Sequence, residues 1–267
     1  MIVFAILCVL YYKCIQHNLN KLSIGEIFMI KIEHVTKIFN KDNKVIDDVS
    51  LTLEDGQIIG FIGLNGAGKT TLIKMMTGIL KPDSGRILIN GHDIVKDAVK
   101  AKQLIGYMAD SPDMFLRLTG IEYIHLLSDI YEVPKDVRKK RIEELSKKFN
   151  LKEVLDKPMQ GYSHGTRQKM MVMGALVHNP KVWILDEPLI GLDPQSAVLL
   201  KEMMREHAKK KNTVFFSTHV LEIAEKLCDR IAIVDKGKII YYGTLEELKE
   251  KYKKDDLEKL FMEVIKE

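Results

Sequence analysis

Apolar residues along the chain change period twice, and the changes divide it into three parts. From position 29 to about 93 the pattern is that of strands. The runs 30–39 and 44–53 read as β-type, Glu54-Asp55-Gly56 makes a turn, and 57–62 is an apolar run that predicts a buried strand. Residues 71–76 then read as a helix, Pro82-Asp83-Ser84-Gly85 as a turn, and 86–89 with Asn90-Gly91 as a hairpin. From about 111 to 179 the period becomes helical. Ile121, Ile124, Leu127 and Ile130-Tyr131 lie at helix spacing, and 135–149 predicts a charged amphipathic helix with Ile142, Leu145 and Phe149 inward. From Val182 strands and helices alternate again: strand 182–185, helix 195–211 entered through Asp193-Pro194, strand 213–217 and helix 220–228. Residues 230–242 read as a hairpin through Lys236-Gly237, and Thr244-Leu245-Glu246-Glu247 is a capping box opening a helical tail, 244–267.

Between the strand 57–62 and the helix 71–76 lies Gly63-Leu64-Asn65-Gly66-Ala67-Gly68-Lys69-Thr70, the spacing of a P-loop. Glycines let the backbone curl and bring bare N–H groups against phosphate oxygens. Lys69 supplies a point charge for the outer phosphates, and the Thr70 hydroxyl can hold Mg2+. The strand–loop–helix context supports the motif, because the helix N-terminus turns its positive dipole end to the same phosphates. The expected fold is therefore α/β: a P-loop NTPase core with a mixed sheet, flanking helices and an antiparallel β subdomain, over 29–243, with a helical insertion at about 111–179. A second half of the site follows from Val182-Trp183-Ile184-Leu185-Asp186-Glu187, an apolar strand ending in two acids. Acids at the carboxyl end of such a strand stand where open α/β sheets bind ligands. Asp186 is placed to hold Mg2+ and Glu187 to orient or deprotonate an attacking water.

Composition adds mostly exclusions. The 267 residues carry 41 basic and 37 acidic side chains, a net charge of +4 that gives no argument for a nucleic-acid partner. The basic run of 135–149 is interspersed with Glu143 and Glu144 and lacks aromatic interleaving, as a solvated helix face does. Cys8, Cys14 and Cys228 lack metal-ligand spacing and suit free thiols in a reducing compartment. Met1 to Tyr12 is wholly apolar but shorter than the roughly 20 residues a membrane span needs. Residues 1–28 leave three readings open: a true start at Met29, a short helix lying on a membrane surface, or a cleaved or spanning segment.

The motifs together resemble the nucleotide-binding subunits of ATP-binding-cassette (ABC) transporters. Gly63 to Leu72, the strand ending in Asp186-Glu187-Pro188, Gly191-Leu192-Asp193-Pro194 and Ser217-Thr218-His219 stand in that family's order. The nearest likeness is to the bacterial branch that exports drugs, peptides or polymers. The resemblance implies that ATP and Mg2+ are bound and ATP is hydrolysed at the cytoplasmic face of the cell membrane. It implies a sandwich dimer with a second copy or a paralogous cassette, and a separately encoded transmembrane permease. Phe39 matches the aromatic residue that stacks on adenine, Thr71 completes the phosphate loop, and His219 matches a histidine that contacts the terminal phosphate and helps place Glu187. Asp193 matches a loop that crosses between subunits. The family's signature segment corresponds to Tyr162-Ser163-His164-Gly165-Thr166, in which Ser163 and Gly165 are the phosphate-touching pair and His164 replaces a glycine. Asp110 stands where the family places a Gln or Glu, and is expected near Mg2+ at the hinge to the helical insertion. Rival expectations are a soluble ATPase acting on ribosomes or DNA, and a regulator that closes on ATP without hydrolysing it.

Overall fold

In the computed structural model, residues 29–40, 43–110, 115–253 and 257–265 are described. The readings made for 1–28 lie outside them. Strands β1 (Ile30–Phe39), β2 (Asn43–Leu53), β4 (Ser84–Ile89) and β5 (His92–Asp93) form an antiparallel sheet in the order β2-β1-β4-β5. A second sheet has the order β10-β9-β3-β8-β7-β6. It is built from β3 (Ile58–Ile62), β6 (Ile105–Met108), β7 (Val182–Leu185), β8 (Thr213–Thr218), β9 (Arg230–Asp235) and β10 (Lys238–Gly243). All pairings in it are parallel except that of β10, which folds back on β9 through Lys236-Gly237.

Strands β3, β7 and β8 are buried along their whole length, which is why they read as unbroken apolar runs. Their side chains still alternate between two cores. Ile59, Phe61, Ile184 and Phe215 face the antiparallel sheet and helix α1 (Lys69–Met76). Trp183, Leu185, Val214 and Phe216 face the other way, towards α3 (Gly120–Ile130), α5 (His164–Leu176) and α6 (Pro194–Lys209). A third cluster joins β9 to α7 (Leu221–Leu227), α8 (Leu245–Tyr252) and α9 (Leu257–Val264) through Ile231, Ile233, Ala224, Leu248, Leu260 and Phe261. Among the described residues the other α-helices are α2 (Ala98–Gln103) and the charged α4 (Lys135–Lys148).

The capping box at Thr244 and Glu247 forms as expected, and a second one, Thr119 with Glu122, opens α3. Two short elements carry no usable period and went unread: α2 and the four-residue β6. The P-loop helix begins at Lys69 and not at Thr71, because Gly68 serves as its N-cap and the loop runs straight into the first turn.

Candidate functional site

β3 delivers the chain to the phosphate loop at Gly63. The loop is pinned by Ala67 N–H to Leu64 O and by Gly237 N–H to Ala67 O. Gly68 has φ +104, and a Cβ there would stand 2.7 Å from the Val45 carbonyl oxygen of β2, so only glycine fits. Leu64, Asn65 and Gly66 are exposed, and so is Thr70, while Thr71 is half-buried. Lys69 is buried and folds back along the loop, its Nζ donating to Gly63 O at 2.8 Å and Leu64 O at 3.3 Å.

Parallel pairing of β3, β8 and β7 brings the strand ends to one edge, beside this loop. Asp186 is 1% exposed. The Ser217 hydroxyl, at the end of β8, donates to Asp186 Oδ1 at 2.6 Å and accepts the Glu187 N–H at 2.9 Å. Glu187 has φ +48, a left-handed conformation uncommon outside glycine, and the Ser217 contact is one of the bonds that hold it. Its Oε1 lies 3.6 Å from Lys69 Nζ and 3.1 Å from His219 Nδ1. Asp186 Oδ2 and Glu187 Oε2 are buried without a hydrogen-bond partner among the described residues. Buried carboxylate oxygens left without a donor are costly, so these two, in a corner that also holds Lys69, are acceptors suited to a cation or a water.

The other predicted residues fall into two groups. Asp110 is exposed at the same edge: β6 pairs with β7 as Met108 with Leu185, so Asp110 and Glu187 are each two residues past the last pair. The Tyr107 phenol is pushed well above its ordinary pKa by burial and then by the Asp186 and Asp110 carboxylates, so both acids act on the same corner. Phe39 ends β1 and is 39% exposed, so it is not a core residue; Lys37 Nζ sits 5.5 Å from its ring centroid. It pairs with Asn43, two residues from the β2 carbonyl that touches Gly68.

Ser163 and Gly165 stand apart, and neither makes a hydrogen bond to Lys69, Glu187 or His219 among the described residues. Helix α5 begins inside this segment: Ser163 is its N-cap, accepting the Thr166 N–H at 3.2 Å, and Gly165 lies in the first turn. Asp193 caps α6 through Ser196, and the Ser196 hydroxyl and N–H, then Lys169, hold its carboxyl well below the usual range. The functional residue that the sequence reading missed is Ser217. The Ser217-Thr218-His219 triplet was the signal, but the two hydrogen bonds of the Ser217 hydroxyl exist only once β7 and β8 are paired.

A family model described as ABC transporter matches residues 46–190. The ABC transporter ATP-binding protein NatA of Bacillus subtilis (strain 168) is 35% identical over 238 residues, covering 88% of this chain and 97% of that protein. The linearmycin resistance ATP-binding protein LnrL of the same organism is 34% identical over 220 residues, 82% of this chain and 70% of that protein. A solved structure of an ATP-binding subunit of an ABC transporter superposes with a TM-score of 0.84 at 29% identity, over 88% of this chain and 99% of that one. With the phosphate loop, the paired acids and His219 assembled in one corner of this fold, the chain belongs to the ABC transporter family, as an ATPase cassette.

Proposed function

We propose that the chain powers a transporter, in the export direction, through a separately encoded membrane permease, and that it works as a dimer that sandwiches ATP. The observation that carries the catalytic part is the position of Glu187, between Lys69 and His219 with one carboxylate oxygen unsatisfied. Phosphoryl transfer needs positioning and charge neutralisation more than covalent chemistry by the protein. Backbone N–H groups of Gly66 to Thr70 and the start of α1 receive the phosphates, and Lys69 turns from its own loop carbonyls to their charge. Phe39 offers an exposed ring for the base. Glu187 accepts a proton from the attacking water, and His219 fixes the carboxylate and reaches the terminal phosphate. The hard oxygens of Thr70 and Asp186, with Asp110 at the rim, fit Mg2+, which when bound would neutralise charge on the phosphate oxygens.

Ser163 and Gly165 lie outside this group within one chain, which supports the dimer: the first turn of α5 is available to a nucleotide held by a second copy or a paralogous cassette. A groove of about 320 Å3 between the core and the helical segment supports the permease. It is lined by Ile79, Tyr107, Phe115, Tyr123, Leu127 and Tyr131, next to Asp110, and suits a short apolar segment of a membrane protein. Among the described residues no helix is long and apolar enough to cross a membrane. The chain then acts at the cytoplasmic face of the membrane. The LnrL relative, named for resistance, supports export. Affinity capture from solubilised membranes tests this reading. A polytopic membrane protein that stimulates turnover is expected, and capture of ribosomes or DNA in its place would overturn it.

A further inference from the structure

Residues 187–193 form a loop that begins at the strained Glu187 and ends at the α6 cap Asp193. The first two turns of α5 meet this loop at two points. Lys169 Nζ lies 3.3 Å from Asp193 Oδ2. The His164 ring lies against Gly191: a Cβ on Gly191 would stand 2.4 Å from His164 Cδ2 and 2.8 Å from Nε2. Gly165 is on the same side, where an added Cβ would come within 3.4 Å of Gly191 O. Gly191 has φ +77, so a side chain there is disfavoured twice, by conformation and by the ring. Both His164 and Gly191 are exposed, so their contact contributes little to the core.

We propose that His164 is a positioning residue that couples the first turn of α5 to Glu187 through Gly191. The inference rests on the dimer reading above. There, Ser163 and Gly165 meet a nucleotide held by the partner, and His164 stands between them in sequence. Any shift of this turn on meeting that nucleotide moves the ring, and the ring bears on the loop four residues from Glu187. The Ile190 N–H bond to Glu187 O, at 3.4 Å, closes the span between them. Each copy's Glu187 is thereby set according to whether its own signature turn has been engaged. Glu187 has little slack to absorb such a shift, because its N–H is fixed on Ser217 and its carboxylate on Lys69 and His219.

The test separates turnover from binding in the full-length chain. His164→Gly should keep the ATP affinity of the isolated chain and its unfolding temperature, yet lower kcat about tenfold, the scale of a misplaced catalytic group. His164→Phe keeps a flat ring over Gly191 and should restore most of kcat. Gly191→Ala should cost less in the His164→Gly background than in the parent, because the collision is gone; that difference is the coupling in a double-mutant cycle. Unchanged kcat in His164→Gly, or strictly additive effects in the cycle, would overturn the proposal. ATP-dependent dimerisation of Glu187→Gln is measured alongside. If that variant dimerises and the cycle is additive, this inference alone fails; if it stays monomeric, the dimer reading fails and takes the inference with it.

Discussion

The Ser217 hydroxyl donates to Asp186 Oδ1 at 2.6 Å and in the same position accepts the N–H of Glu187, so one side chain sets the two acids of the site relative to each other. Replacing it with alanine strands the Glu187 N–H and one Asp186 oxygen. Ser217→Ala should cost about 1–3 kcal/mol of stability, the scale of a buried polar group left unpaired. Turnover should fall about tenfold through misplacement of Glu187, with ATP affinity little changed. Steady-state kinetics beside chemical denaturation check this, and parental kcat in a destabilised variant would show that the hydroxyl serves folding alone.

Glu187→Gln keeps the size of the side chain and its bond to His219 but removes the base. Turnover should drop roughly 10²–10⁴-fold while ATP binding persists. Light scattering with ATP should show an accumulated dimer, since closure occurs and reopening does not. ATP hydrolysis at the parental rate would remove Glu187 from the mechanism.

Asp110 is exposed at the strand edge that carries Glu187, directly after Ala109, which lines the apolar groove. Asp110→Ala should leave ATP affinity nearly intact, because in the proposed reading the loop from Gly63 to Thr70 supplies most phosphate contacts. Substrate moved per ATP consumed, measured in a reconstituted complex, should fall. An unchanged ratio would mean that Asp110 is merely a solvated loop residue.

Met29 already belongs to the core: its N–H donates to Leu53 O, its carbonyl accepts from Asn90, and its side chain is 4% exposed. A chain starting at Met29 should therefore unfold at the temperature of the full chain and bind ATP alike. A large fall in unfolding temperature would show that residues 1–28 pack on the domain.

His178 and His207 are held neutral, with pKa values lowered to about 4, in each case chiefly by burial. The unfolded chain binds these protons near pH 6.5 and the folded chain does not. Stability from both is therefore complete above about pH 6.5 and is lost as pH falls towards 4, by at most about 3 kcal/mol for each histidine. The His207 ring meets Trp183 edge-on, with centroids 5.6 Å apart. In denaturation series between pH 7 and pH 4, His207→Gln should show a shallower loss of stability than the parent. An identical slope would place the acid sensitivity elsewhere.

Local order in the chain was enough for the phosphate loop, the paired acids, His219 and the alternation of strands and helices. Each depends on neighbours in sequence: a loop of eight residues between an apolar strand and a helix, or two acids directly after four buried residues. Short elements escaped: α2, at six residues, carries less than two helical periods, and β6, at four residues with Gly106 inside it, lacks the unbroken apolar run that marked β7. Tertiary structure alone decided the rest. Strand order set Ser217 of β8 on Asp186, the residue after β7 and 31 positions earlier, and brought Lys69 to Glu187 across more than a hundred residues. It also turned His164, which stands where the family's signature segment has a glycine, into a neighbour of Gly191. Contacts of this kind come from parallel pairing and helix packing between remote segments, and no pattern along the chain encodes the register in which those segments meet.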